Sequence, residues 1–252
     1  MSRIMIIAGE VSGDMHASGL VKATNQQRDG IEWFGIGGPL MRAEGVETAH
    51  DISEMAVMGF SEVVKRYPFF KAVFNEMLTL AVERRPEVVV LVDYPGFNLR
   101  LAAKLHELGI RGVYYICPQV WAWHRERIPK MAKIIDHLIT IFPFEAQHFA
   151  DTDLTVTYCG SPLVDEAAHA LSLPTVALPW KKPKRVALLP GSRVHEIRRM
   201  LPGMWQTAAR LEADNPDISF IVATPSEREI PLVREMMQGT KGPTHWEIVP
   251  SR

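Results

Sequence analysis

Short apolar runs alternate with stretches of helical period along most of the chain. Residues 4–8, Ile-Met-Ile-Ile-Ala, read as a buried strand, and residues 15–27 as a helix opened by Ser12-Gly13-Asp14. The next strand falls at 33–36. Residues 88–92, Val-Val-Val-Leu-Val, form a continuous apolar run, the pattern of a strand covered on both faces. A helix over 101–108 stops at Gly109, and strands follow at 112–116 and 135–142. Strands alternating with helices predict a parallel sheet with right-handed crossovers.

The pattern breaks over residues 171–184, where three prolines and several charges replace the periodic positions. That stretch reads as a linker. A second α/β unit follows, with strands at 185–189, 218–223 and 245–249 and helices at 196–212 and 227–238. The expected division is a first domain over 1–170, the linker over 171–184 and a second domain over 185–252. Three strands and two helices make half of a doubly wound sheet, so the second domain is expected to be incomplete.

Composition narrows the function. The chain has 252 residues, 47% hydrophobic, enough to bury a sizeable core. A net charge of −1 supplies no global positive field, so no nucleic-acid partner is expected. Cys117 and Cys159 form no CxxC and read as reduced, buried thiols of a cytosolic protein. Nine histidines without HxH or HExxH spacing argue against a metal site. The N-terminal apolar run is too short for a signal peptide. No stretch approaches the ~20 apolar residues of a spanning helix, so membrane contact is expected to be peripheral.

Five places carry candidate chemistry. The first is Gly9-Glu10-Val11-Ser12-Gly13-Asp14, between the first strand and first helix. It is neither a dinucleotide fingerprint nor a P-loop. Carboxylates at Glu10 and Asp14 would repel a phosphate at the helix N-terminus but accept strong hydrogen bonds from sugar hydroxyls. Equally, Ser12 or Asp14 could simply cap the helix. The second is Asp93-Tyr94-Pro95-Gly96-Phe97-Asn98, after the 88–92 run. A carboxylate at the end of a wholly apolar strand is costly unless solvated or partnered, and such positions favour functional bases. Asp93 is the candidate general base, with a plain turn as the alternative.

The third place is Cys117-Pro118-Gln119-Val120-Trp121-Ala122-Trp123. Its tryptophans and Gln119 suit either a sugar-facing surface or aromatic core packing. Arg125, Arg127, Lys130 and Lys133 follow, as a solvated face or as an attractor of an anionic lipid phosphate. The fourth is Gly191-Ser192-Arg193, where amides at a helix start plus a guanidinium make an anion site suited to a diphosphate, or an ordinary turn with a surface arginine. The fifth is residues 58–78, with Phe60, Val63, Val64, Tyr67, Phe70, Phe74, Met77 and Leu78 at helical spacing and a break or restart at Pro68. Basic neighbours Lys65, Arg66 and Lys71 suit an interfacial helix pair, against the alternative of a core-facing stripe.

Taken together, these motifs resemble lipid-A-disaccharide synthase. The resemblance rests on residues 8–14, Gly35-Ile36-Gly37-Gly38-Pro39, Ala56-Val57-Met58-Gly59, residues 93–98, residues 118–123 and Leu188-Leu189-Pro190-Gly191-Ser192-Arg193. It implies a GT-B fold of two Rossmann-like domains and a metal-free inverting transfer without cofactor. The implied donor is UDP-2,3-diacylglucosamine and the acceptor 2,3-diacylglucosamine 1-phosphate. Asp93 matches the family's essential aspartate. Glu10, Ser12, Gly13, Asp14, Asn98, Gln119 and Trp121 fall on the acceptor side, and Gly191, Ser192 and Arg193 on the UDP side. Phe60, Val63, Val64, Tyr67, Phe70 and Phe74 match the membrane-docking region. The implied location is cytoplasmic and peripheral on the inner membrane, with a homodimer in the longer form.

Three departures stand out. Gly160-Ser161-Pro162 replaces the family's Gly-His-Pro, His124 stands where an arginine is common, and the family's later uridine-holding segment is not in this chain. That last departure gives a rival expectation, a module that binds acceptor and membrane without transferring. A further rival is another GT-B enzyme, such as a UDP-N-acetylglucosamine epimerase.

Overall fold

The structure, a computed structural model, describes residues 2–55 and 66–250. It divides into two compact units, residues 1–172 and 173–252.

The first unit is built on seven parallel strands. They are β1 (Ser2–Ala8), β2 (Ile31–Gly37), β3 (Glu47–Asp51), β4 (Val88–Val92), β5 (Arg111–Tyr115), β6 (His137–Thr140) and β7 (Thr155–Tyr158). Their order is β3-β2-β1-β4-β5-β6-β7, so β1 and β4 lie side by side where the winding reverses. The helices are α1 (Val11–Gln27), α2 (Pro39–Ala43), α3 (Ile52–Met55), α4 (Tyr67–Arg84), α5 (Pro95–Glu107), α6 (Ile128–Ile134) and α7 (Pro162–Ser172).

Strand alternation sends side chains to two cores. Met5, Ile7, Val89 and Leu91 pack with Val73, Met77 and Ala81 of α4 and with Leu101 and Leu105 of α5. Ile6, Ala8, Val90 and Val92 pack with Ala17 and Val21 of α1 and Met41 of α2. This is why the central strands read as unbroken apolar runs: both faces are covered.

The second unit holds β8 (Lys184–Leu188), β9 (Ile218–Thr224) and β10 (Trp246–Pro250), parallel and ordered β10-β9-β8. It also holds α8 (Val194–Asp214) and α9 (Ile230–Met237). Trp205, Phe220, Val222 and Val233 centre its core.

Several expectations need correction. Residues 135–142 yield only the short β6, because Ile135 caps α6 and Phe142 already turns toward Glu145. Pro68 stands in the first turn of α4, which is the expected restart rather than a correction, since a first-turn proline gives up no helical hydrogen bond. Strands β3 and β7 have no counterpart among the expected elements; both are edge strands with little apolar pattern. Cys159 is exposed rather than buried, while Cys117 is buried. No helix among the described residues is long and apolar enough to cross a membrane.

Candidate active site

In an open parallel sheet the crevice at the strands' carboxyl ends, where the winding reverses, is the natural ligand site. Here that point lies between the ends of β1 and β4, which carry the first two candidate segments. Asp93 follows β4 directly, and both Asp93 (φ 46°) and Tyr94 (φ 50°) are left-handed. Two consecutive non-glycine residues in that region are costly, so the surroundings must hold them. They do: Asp93 N–H donates to Tyr115 O at 3.1 Å, and Tyr114 Oη donates to Asp93 O at 2.6 Å. The fully buried Asn98 donates Nδ2 to Val92 O at 3.2 Å and to Asp93 O at 2.8 Å.

Asn98 therefore braces the turn through its Nδ2, while its Oδ1 is buried without a hydrogen-bond partner among the described residues. Asp93 itself is held above the usual carboxylate range. Burial is the main cause and the charge of Glu10 adds to it, while the Tyr94 amide and His16 pull the other way. Such a carboxyl is a stronger base than a solvated one.

The first loop divides its labour. Glu10 is the half-buried residue before α1, close enough for its charge to act on Asp93. Ser12 is exposed and makes no cap bond, and Gly13 packs against Ala8. Asp14 is 1% exposed, and its carboxylate accepts from Gly38 N (2.7 Å), Leu40 N (3.1 Å) and Met41 N (3.1 Å). It caps α2 rather than its own helix, and both oxygens are engaged. The two loops are also wedged together. A Cβ on Gly9 would collide with the Tyr94 ring, so glycine is what allows this approach.

A cavity of about 500 Å³ opens beside Asp93, lined also by Cys117, Gln119, Trp123, Arg127 and Glu145. Its size suits a sugar. Of the two tryptophans it is Trp123, 71% exposed, that faces this space. Trp121 instead packs edge-on against Phe144, with ring centroids 5.2 Å apart, and is not among the residues lining this cavity. Glu145 is buried and raised by desolvation, although the Phe142 and Ile141 amides hold it partly down. Burial pushes the Cys117 thiol up to about 12, so it stays protonated and is no nucleophile.

A second, apolar cavity of about 530 Å³ lies between α4 and α5, bordered by Tyr67, Phe70, Phe74, Tyr94 and Phe97, with Lys71 and Arg100. Phe70 and Phe74 also pack on the core, as the core-facing alternative expected. Tyr67 is 57% exposed. Phe60, Val63 and Val64 lie outside the described residues.

In the second unit, Gly191 (φ 111°) precedes the start of α8. Glu196 accepts from Ser192 N at 2.9 Å and Arg193 N at 3.0 Å. The amides expected to cradle an anion are thus already capped by a carboxylate one turn on. What remains for the anion reading is the Arg193 side chain, with Nη1 4.0 Å from Glu196.

Sequence reasoning missed Tyr114, His16 and Glu145. Tyr114 sits inside an apolar strand, where nothing distinguishes it from a core residue, and Glu145 lies in a turn without a motif. His16 follows Asp14 by two residues on α1 and has a weak local signal, a polar residue on an otherwise packed helix face. Among the described residues, no three His, Cys, Asp or Glu side chains gather as a metal cluster would.

The profile of the family described as Lipid-A-disaccharide synthetase matches residues 4–245. The chain is 40% identical over 227 residues to the lipid-A-disaccharide synthase of Myxococcus xanthus, covering 87% of this chain and 58% of that protein. It is 36% identical over 244 residues to that of Geobacter sulfurreducens, covering 96% and 62%. Thus the chain spans about three-fifths of the length of these curated relatives. Among solved structures, the S. aureus MnaA–UDP co-structure superposes with a TM-score of 0.65 at 13% identity, covering 99% of this chain and 69% of that one. The UDP-GlcNAc 2-epimerase from Neisseria meningitidis bound to UDP-GlcNAc gives 0.62 at 10%, covering 100% and 73%. At such identities the likeness is one of fold, an α/β architecture of the GT-B type.

Proposed function

This chain belongs to the lipid-A-disaccharide synthase family, and from that premise we propose that it carries the acceptor side of an inverting glycosyl transfer. The donor is UDP-2,3-diacylglucosamine and the acceptor 2,3-diacylglucosamine 1-phosphate. The acceptor's 6-hydroxyl attacks the anomeric carbon of the donor, the bond to UDP breaks, and Asp93 takes the hydroxyl proton. The products are the β-1,6-linked disaccharide 1-phosphate and UDP. One observation carries this reading: a carboxylate on a left-handed turn at the switch point, buried enough to be basic and open to a sugar-sized cavity.

The chain's own residues divide the work. Glu10 raises the basicity of Asp93, while Tyr114 and Asn98 fix the direction of its backbone. Gln119 and Trp123 line the space for the sugar. Arg193 carries the charge for the diphosphate in the second unit. Tyr67 and the apolar cavity beside it, with residues 60–64, suit docking to the cytoplasmic face of an inner membrane, and no lipid-crossing segment is needed for that. The homodimer belongs to the same reading of the longer relatives.

The test is disaccharide formation from the two lipids, followed as UDP release. Asp93→Asn should lower the rate by about 10²–10⁴-fold, the usual share of a general base. Undiminished turnover would remove Asp93 from the base's role. A second reading, that the chain binds acceptor without transferring, is favoured by Glu196 already occupying the Ser192 and Arg193 amides on the donor side. Disaccharide formed by the 252-residue chain would exclude it. The epimerase alternative has only the likeness of fold behind it, at 10% identity.

A further inference from the structure

We infer that the cavity beside Asp93 contains an anion subsite, in which the Arg127 guanidinium holds the phosphate monoester of the acceptor sugar. The inference rests on the acceptor reading above and adds the residue that recognises the lipid's charged end. Four basic residues follow the tryptophans in sequence, but of Arg125, Arg127, Lys130 and Lys133 only Arg127 lines the cavity. Arg127 closes the short 3-10 turn Arg125–Arg127, just ahead of α6, and is half-buried.

The neighbouring charges are already matched. His124 Nδ1 lies 2.7 Å from Glu126 Oε1. Glu145, the other carboxylate lining the space, turns inward and accepts from Ile141 N at 3.2 Å and Phe142 N at 3.0 Å. Among the described residues, no carboxylate lies within ion-pair distance of the Arg127 guanidinium, which is left facing the cavity that Asp93 also lines. Its charge is felt by the Tyr114 phenol, whose hydroxyl donates to Asp93 O, so guanidinium and base share one small volume.

A half-buried guanidinium facing a cavity calls for an anion, and a planar fork matches a phosphate monoester through two parallel hydrogen bonds. A neutral sugar would leave it unmatched. In the acceptor, the phosphate on C1 and the attacking 6-hydroxyl carried by C5 flank the ring oxygen, so the rigid ring fixes the spacing between them to within the hydroxymethyl rotation. Holding the phosphate at Arg127 therefore places the hydroxyl toward Asp93, an orienting effect that a floppy single contact cannot give.

The test is calorimetric titration of the 252-residue chain with two lipids in detergent micelles, 2,3-diacylglucosamine 1-phosphate and 2,3-diacylglucosamine. Wild type should prefer the phosphorylated lipid. Arg127→Gln should weaken that lipid roughly 10- to 100-fold, the size expected for a lost charge-assisted bond, and leave the other within about twofold. Arg127→Lys should lose less, and it carries the test if the glutamine variant fails to fold by circular dichroism. Equal loss for both lipids, or no loss for either, would overturn the subsite while acceptor binding stands. If wild type binds neither lipid, the acceptor reading itself fails and takes the subsite with it.

Discussion

Replacing Asp14 with alanine is expected to unfold rather than merely to disarm. The carboxylate accepts three backbone N–H groups at the start of α2, and two of them, on Gly38 and Met41, belong to buried residues. Leu40 is 46% exposed, so its amide can turn to water. Leaving two buried donors empty costs about 1–3 kcal/mol each, or about 4 kcal/mol together. Asp14→Asn would keep the two bonds to the Oδ1 position and set an amide donor against Leu40 N, at about 2 kcal/mol. For a unit of 172 residues, each kcal/mol moves the midpoint by about 2–4 °C. The expected drops follow as about 8–16 °C for Asp14→Ala and about 4–8 °C for Asp14→Asn, with Ser12→Ala unchanged as the exposed control. Thermal melts followed by circular dichroism at pH 7 read them, using the transition of the larger unit. A midpoint within about 2 °C of wild type for Asp14→Ala, accompanied by lost lipid binding, would refute the bracing role and restore Asp14 to the ligand site.

Asp93→Asn should raise the melting midpoint at neutral pH while lowering turnover by the factor given above. The folded-state pKa lies above the unfolded one, so ionising Asp93 costs stability that is lost as pH rises from about 4 toward the folded value, and asparagine removes that cost and tolerates φ 46°. An unchanged or lower midpoint would count against the desolvated carboxylate. Gly9→Ala should destabilise by about 1–3 kcal/mol in urea melts, because the new methyl must displace the Tyr94 ring and break its 3.2 Å bond to Met55 O. In the second unit, Glu212 is pulled down to about 2: burial opposes this, but the Thr244 and His245 amides and side chains outweigh it. Its contribution is present above the unfolded value near 4.5 and lost as pH falls toward 2, so Glu212→Gln should flatten the acid limb of the stability curve between those values. An identical limb in both proteins would refute it.

How much is legible in the sequence depends on how local the cause is. β1 and β4 are legible because continuous aliphatic runs have few other readings, and Asp93 is legible because it ends one of them. Asp14 and Asn98 stand out as residues, but the bracing contacts they make are not visible in the sequence. Their partners, at Gly38 and at Val92 O and Asp93 O, are set by the tertiary fold, and no pattern within the loop distinguishes a ligand from a brace. Trp121 and Trp123 differ by two positions and look alike in sequence; only the turn between them decides which one meets the cavity. The capping of Ser192 and Arg193 by Glu196 is legible in principle, as a glutamate three residues past a cap, and it competes there with the anion reading.

The placing of Glu10 and Asp93 just beyond the ends of adjacent strands has a consequence for the order of folding. Ile4 pairs with Val88, so the central contact of the sheet joins segments far apart in the chain, with β2, β3 and α1–α4 looped out between them. Closing such a loop must precede any benefit from the pairing, and non-local parallel pairing is slow. The pairs β1–β2 and β5–β6 need much shorter closures. The crevice that holds the candidate base is therefore expected to assemble late and as a whole. During synthesis, the candidate site cannot form until β4 and the turn after it have emerged.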